Sequence, residues 1–246
     1  MANKKTNWQE LRAIIIAAAI LGFIFGFDDG SSTFILSFWI RNFILQFVMS
    51  LIFIMIFVQI TKSYSSRKGI NSNFSLWNIK RYGFSRSSHY KSGGFPIGAI
   101  ISLLLSVLSL GKIFFSAILS PEFKTSPSSR LGKKFERATD KELALISLVG
   151  PLTLTIMGIV LTNLNSSLSN IAIIPFSIAF CSLIPISALN GARVLMGAPS
   201  LYIFSVAFVV SSFYLSPLLT ITSSILAGVI ICLALMTSFY YYIYIK

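Results

Sequence analysis

Seven long apolar runs, separated by short polar stretches, dominate the chain: residues 11–27, 42–61, 95–119, 143–164, 171–189, 201–216 and 218–243. Six of them are close to the ~20 residues a helix needs to cross a ~30 Å hydrocarbon core. The run at 201–216 is short, and Pro217 separates it from the next, which predicts a tight helical hairpin. The first run follows a start carrying Lys4, Lys5 and Arg12, so a cleavable signal peptide with small residues Ala17 to Ala19 is the rival reading. The run continues past those alanines through Leu21, Phe23 and Phe25, which favours an uncleaved first span.

Basic residues decide which runs cross, because Lys and Arg collect on the cytoplasmic side. Residues 62–91 hold seven of them and residues 124–141 hold six. A spanning 95–119 would put these blocks on opposite faces. If that run instead dips in and returns, 19 of the 20 Lys and Arg lie inside and only Arg41 lies outside. The run itself agrees: Gly93, Gly94, Pro96 and Gly98 break its start, and Ser102, Ser106, Ser109, Gly111 and Lys112 dilute its end. Irregular backbone at that depth must be shielded by protein or line a wet cavity. The expected fold class is therefore an all-α integral membrane protein, residues 1–246 forming one membrane domain. Its six spans lie at 11–27, 42–61, 143–164, 171–189, 201–216 and 218–243, with both termini cytoplasmic. Residues 62–142 form a basic cytoplasmic segment with a re-entrant insert at 95–119.

Composition supports this class. Hydrophobic residues make up 55% of the 246 and charged residues 11%, far too little charge to cover a soluble domain of this length. The net charge of +13 would suggest nucleic acid in a soluble protein. Here it sits in segments between apolar runs, with no groove-reading helix or aromatic platform, so no nucleic-acid partner is expected. The bilayer is the expected partner, in a cell membrane. Anionic lipid headgroups should meet the basic face, each Lys or Arg near the surface gaining about 1 kcal/mol. Cys181 and Cys232 lie in apolar runs without metal or redox spacing. The Tyr240 to Tyr244 cluster reads as an interfacial anchor, Asp28 and Asp29 as an outer cap, and Asn165-Ser166-Ser167 as a glycosylation sequon.

Three segments carry more specific information. Residues 142–152 read ELALISLVGPL, residues 183–195 read LIPISALNGARVL, and Ser65-Ser66-Arg67-Lys68-Gly69-Ile70 follows the second run. Taken alone, Gly150-Pro151 could be a close-packing kink, and Pro185 with Asn190-Gly191 a kink and helix exit. In this order and spacing, over residues 42–215, they resemble the site-2 protease family of intramembrane metalloproteases. In that family one span ends in HExxH before a basic turn and Gly, a later span carries an AGPLxN-like segment, and another ends in LxPxxxLDGGR.

The resemblance implies a site-2 protease-like core and places residues 57–61 where HExxH would stand. Phe57 then replaces the first zinc ligand, Val58 the general base, Thr61 the second ligand and Asn190 the aspartate ligand. Leu154 replaces the asparagine of the Gly150-Pro151 segment. Pro185 and Gly191 complete the vestigial groove. A hydrolytic centre of this kind needs two histidines at i and i+4 on one helix face to grip zinc. It also needs a glutamate to activate the zinc-bound water. The chain has one histidine, His89, outside the spans. No metal, no cofactor and no catalytic residue is therefore expected. A serine dyad fares no better, because only Lys112, near Ser109 and Ser116, offers a base.

The reading that results is a pseudoprotease that binds transmembrane segments of partner proteins or regulates an active relative. The alternative is a small lipid- or solute-handling protein, or an assembly subunit of a membrane complex. The expected spans hold essentially no ionisable residues, which counts against ion coupling but not against lipid.

Overall fold

A computed structural model describes residues 2–27, 35–79, 94–125, 138–164, 169–186 and 188–244, with side chains from 8 to 242. His89, Asp28, Asp29, the Asn165-Ser166-Ser167 sequon and the Tyr244 side chain lie outside what is described. The described residues are mostly helical (74%), and among them four helices are long and apolar enough to cross a membrane: Trp8–Gly26, Leu36–Arg67, Asp140–Leu164 and Ile221–Tyr242. That makes it a membrane protein by composition and helix length.

The elements in order are α1 (Ala2–Gly26), α2 (Leu36–Arg67), β1 (Ile70–Leu76), α3 (Ile97–Leu108), β2 (Leu119–Thr125), α4 (Asp140–Leu164), α5 (Ile173–Ser182), α6 (Asn190–Gly197), α7 (Pro199–Leu215) and α8 (Ile221–Tyr244). Runs 171–189 and 201–216 correspond to α5 and α7, of 10 and 17 residues. Run 95–119 contains only the 12-residue α3 before the chain becomes extended. The strands were not anticipated; β1 and β2 pair as a two-stranded sheet.

Two compact units are present. The first comprises Met1–Ile54 with Phe74–Pro121. In it α1 meets the first half of α2 through Phe23 and Trp39, with ring centroids 6.3 Å apart, and through Asn42, whose Nδ2 donates to the Gly26 carbonyl at 3.4 Å. The buried Glu10 carboxylate accepts the Phe74 backbone N–H at 3.1 Å, tying the start of α1 to β1.

The second unit comprises Met55–Asn73 with Glu122–Lys246. Here α4 is central and packs against α5, α6, α7 and α8, while α7 and α8 pair as the expected hairpin. An apolar core of Ile159, Ala172, Phe176, Phe208 and Cys232 holds α4, α5, α7 and α8 together. The start of α4 is a reciprocal cap: Thr139 Oγ1 accepts the Glu142 N–H at 3.3 Å, and Glu142 Oε2 accepts the Thr139 N–H at 3.1 Å. Two of the four donors that a helix start leaves open are satisfied this way. Thr139→Ala should cost about 1 kcal/mol, read as a fall of about 2–4 °C in the detergent melting temperature. An unchanged melting temperature would show the cap to be idle.

Hydroxyls inside these helices mostly turn back on their own backbone. Thr61, Thr153, Thr155 and Thr162 each donate to the carbonyl one turn earlier, at 2.7 to 2.9 Å. Ser102 does the same at 2.7 Å. In an apolar medium an unpaired hydroxyl is costly, and the preceding turn supplies an acceptor without outside help.

Candidate functional site

All nine residues of the vestigial groove belong to the second unit, on the end of α2, on α4, on the turn leading into α6 and on the start of α6. Phe57 and Thr61 lie one turn apart on α2 and share a face, the geometry a two-residue metal grip requires. Gly150 lies against both: a Cβ there would sit 2.6 Å from Phe57 Cε2 and 2.8 Å from Thr61 Oγ1. The glycine is what allows the Phe57 ring to lie on α4. Val58 and Leu154 are almost wholly buried, Pro151 is buried within α4, and Gly191 is buried in α6. Pro185 is exposed on the turn between α5 and α6.

Asn190 opens α6 and is 2% exposed. Its Oδ1 has no hydrogen-bond partner among the described residues, and neither does the buried Ser147 Oγ on α4. Arg193, three residues along α6 from Asn190, stacks its guanidinium on the Phe123 ring at 4.8 Å, and its buried Nη1 likewise has no partner among the described residues. Burial pushes the Arg193 guanidinium below its ordinary pKa, while the Glu122 carboxylate pulls the other way.

Sequence reasoning missed Ser147, the Arg193–Phe123 stack and the cap on α4. The Thr-x-x-Glu spacing at 139–142 was the available signal for the last. Ser147, one hydroxyl in an apolar run, carried no signal of its own.

The donor set does not fit zinc. Phe57 and Val58 offer no lone pair, the Thr61 hydroxyl donates at 2.8 Å to the Phe57 carbonyl, and the Asn190 carboxamide is neutral. Among the described residues no cluster of three or more His, Cys, Asp and Glu is placed to hold a metal. No chemical step is therefore derived through a metal. What the arrangement presents chemically is a buried carboxamide oxygen at a helix start, near an exposed turn, with no hydrogen-bond partner among the described residues. No protein-family model, curated protein or solved structure matches the chain.

Proposed function

We propose that the chain is a non-catalytic membrane protein with a site-2 protease-like core, and that the region around Asn190 holds transmembrane or membrane-proximal segments of partner proteins without cutting them. One such partner would be an active relative. The observation that carries this reading is the buried Asn190 Oδ1 with no partner among the described residues. Buried polar atoms are nearly always paired, and each one left alone costs free energy, so an orphaned acceptor invites an outside donor. A loosened turn of a partner helix presents such donors as backbone N–H groups. The finer topology belongs to the same proposal: six spans, both termini cytoplasmic, and every Lys and Arg inside except Arg41 and Lys112, which lies at the tip of the 95–119 insert.

A photoreactive residue in place of Ile186, which is 41% exposed and precedes Asn190 by one helical turn's worth of chain, tests it in native membranes. Protein adducts are expected. Asn190→Leu should lower their yield about 3- to 30-fold, matching the ~0.6–2 kcal/mol of one hydrogen bond inside a membrane. Adducts to lipid alone, or a yield indifferent to Asn190→Leu, would favour the lipid-handling alternative and end this reading.

A further inference from the structure

Residues 95–118, all within the first unit, are built inside out. The buried face of α3 is Gly98, Ser102 and Ser106, at a spacing of four. Its outward positions are Leu104 at 54%, Val107 at 50% and Leu108 at 79% exposure, continued by Leu110 at 68% and Ile113 at 57%. A helix in water does the opposite, placing large apolar side chains against its neighbours.

The end of α3 repeats the preference. The Gly111 N–H bonds the Ser106 carbonyl at 2.8 Å and the Leu110 N–H bonds the Val107 carbonyl at 3.2 Å, the paired closure of a Schellman ending. Its left-handed position, normally glycine, is Leu110, with φ of 52°. A leucine is held there against its backbone preference, with its side chain turned outward.

Both ends of the segment join the short stretch that follows β1. Ile79 and Phe95 exchange N–H to carbonyl bonds at 2.9 Å, and the Trp77 N–H bonds the Ile118 carbonyl at 2.7 Å. The chain leaves and returns at the same place. The depth reached between those points follows from α1, against which α3 packs. Strand β1, which that stretch continues, is fixed near the start of α1 by Glu10 and Phe74, whereas Phe114 past the turn lies tilted against Phe25 with centroids 5.0 Å apart. Glu10 and Phe25 are fifteen residues apart, about 22 Å along the helix. That is most of a hydrocarbon core of about 30 Å.

We propose that residues 95–118 form a re-entrant loop along α1 whose outward leucines contact acyl chains and whose exposed Lys112 meets lipid phosphates of the leaflet opposite the N-terminus. The occupant of this apolar face is lipid. The face lies beside a helix long and apolar enough to span, and its one charge, a cation on a four-carbon stem, falls at the end where anionic phosphates lie.

Single cysteines on a Cys181→Ser, Cys232→Ser background, probed with a membrane-impermeant maleimide in oriented membrane vesicles, test the loop. Lys112→Cys should be labelled from the face opposite to the one that labels Gln9→Cys and Glu122→Cys, by at least tenfold in rate. Labelling of all three from one face would reduce the loop to a shallow surface contact. Labelling of Lys112→Cys and Glu122→Cys together, opposite Gln9→Cys, would make it a full span. Either result overturns the proposal. If Lys112→Cys fails to fold, a spin label on Leu110→Cys decides instead: preferential collision with oxygen over a polar nickel complex supports lipid contact, and the reverse overturns it. A label immobilised and shielded from both reagents would mean that protein, and not lipid, covers the tip.

Discussion

Gly191→Ala is expected to abolish the folded protein. A Cβ at this position falls on the Leu183 carbonyl, and it comes within 2.6 Å of the Ile184 carbonyl oxygen. These are backbone atoms of the turn that precedes α6, so no rotamer change can make room. Overpacking of adaptable cores costs about 1–3 kcal/mol, and a clash with fixed backbone should exceed the top of that range. The loss would take most of the margin of a marginally stable protein. Yield of monodisperse protein in detergent reads it directly. Gly228→Ala is the control, because its Cβ would come no closer than 3.3 Å to the Phe208 ring, a flexible neighbour, and should change the yield little. Normal yield and melting for Gly191→Ala would mean that α6 does not start against residues 183–184.

The second large effect is a gain. Phe57→His, Val58→Glu, Thr61→His and Asn190→Asp together restore the residue types that the family resemblance expects. The quadruple variant should bind one zinc per chain, where the native protein is expected to bind none. A micromolar site corresponds to about 8 kcal/mol, modest beside structural zinc sites, and replacing the Phe57 ring frees space against Gly150. Metal analysis after dialysis supplies the number. A folded quadruple variant without zinc would place Asn190 away from the 57–61 face and remove the basis of the pseudoprotease reading. Should the quadruple variant not fold, Phe57→His with Thr61→His alone must still bind cobalt or copper through the shared face.

How much of this was legible varies with the physics involved. Hydropathy located the long helices, since runs 11–27, 42–61, 143–164 and 218–243 all lie within or across α1, α2, α4 and α8. It did not locate their ends. Helix α2 continues beyond its apolar run through Lys62 to Arg67, because a hydrocarbon thickness limits the apolar residues and not the helix. Run 171–189 is apolar enough for one helix, but α5 stops at Ser182, and the two residues before Pro185 already leave the helix. Strand β1 was hidden because its inward face alternates Ile70, Ser72 and Phe74, and a buried serine breaks the apolar pattern. That serine is satisfied by a 2.8 Å bond to Ser65, a partner no local reading supplies. At the groove, the sequence marked Gly150 and Phe57, and only three-dimensional placement showed why one needs the other. It could not show that Asn190 Oδ1 lacks a partner among the described residues.

The hydroxyls bonded to their own helices bear on the rival reading. A conduit for water-soluble cargo needs side chains that swap protein partners for passing solutes at little cost. Thr153, Thr155 and Thr162 each already donate to a carbonyl of α4, and to donate to a solute they would first have to release it. The threonines of the second unit's central helix thus spend their protons at home, which suits a helix dissolved in oil, and their number alone is no signpost to a wet channel.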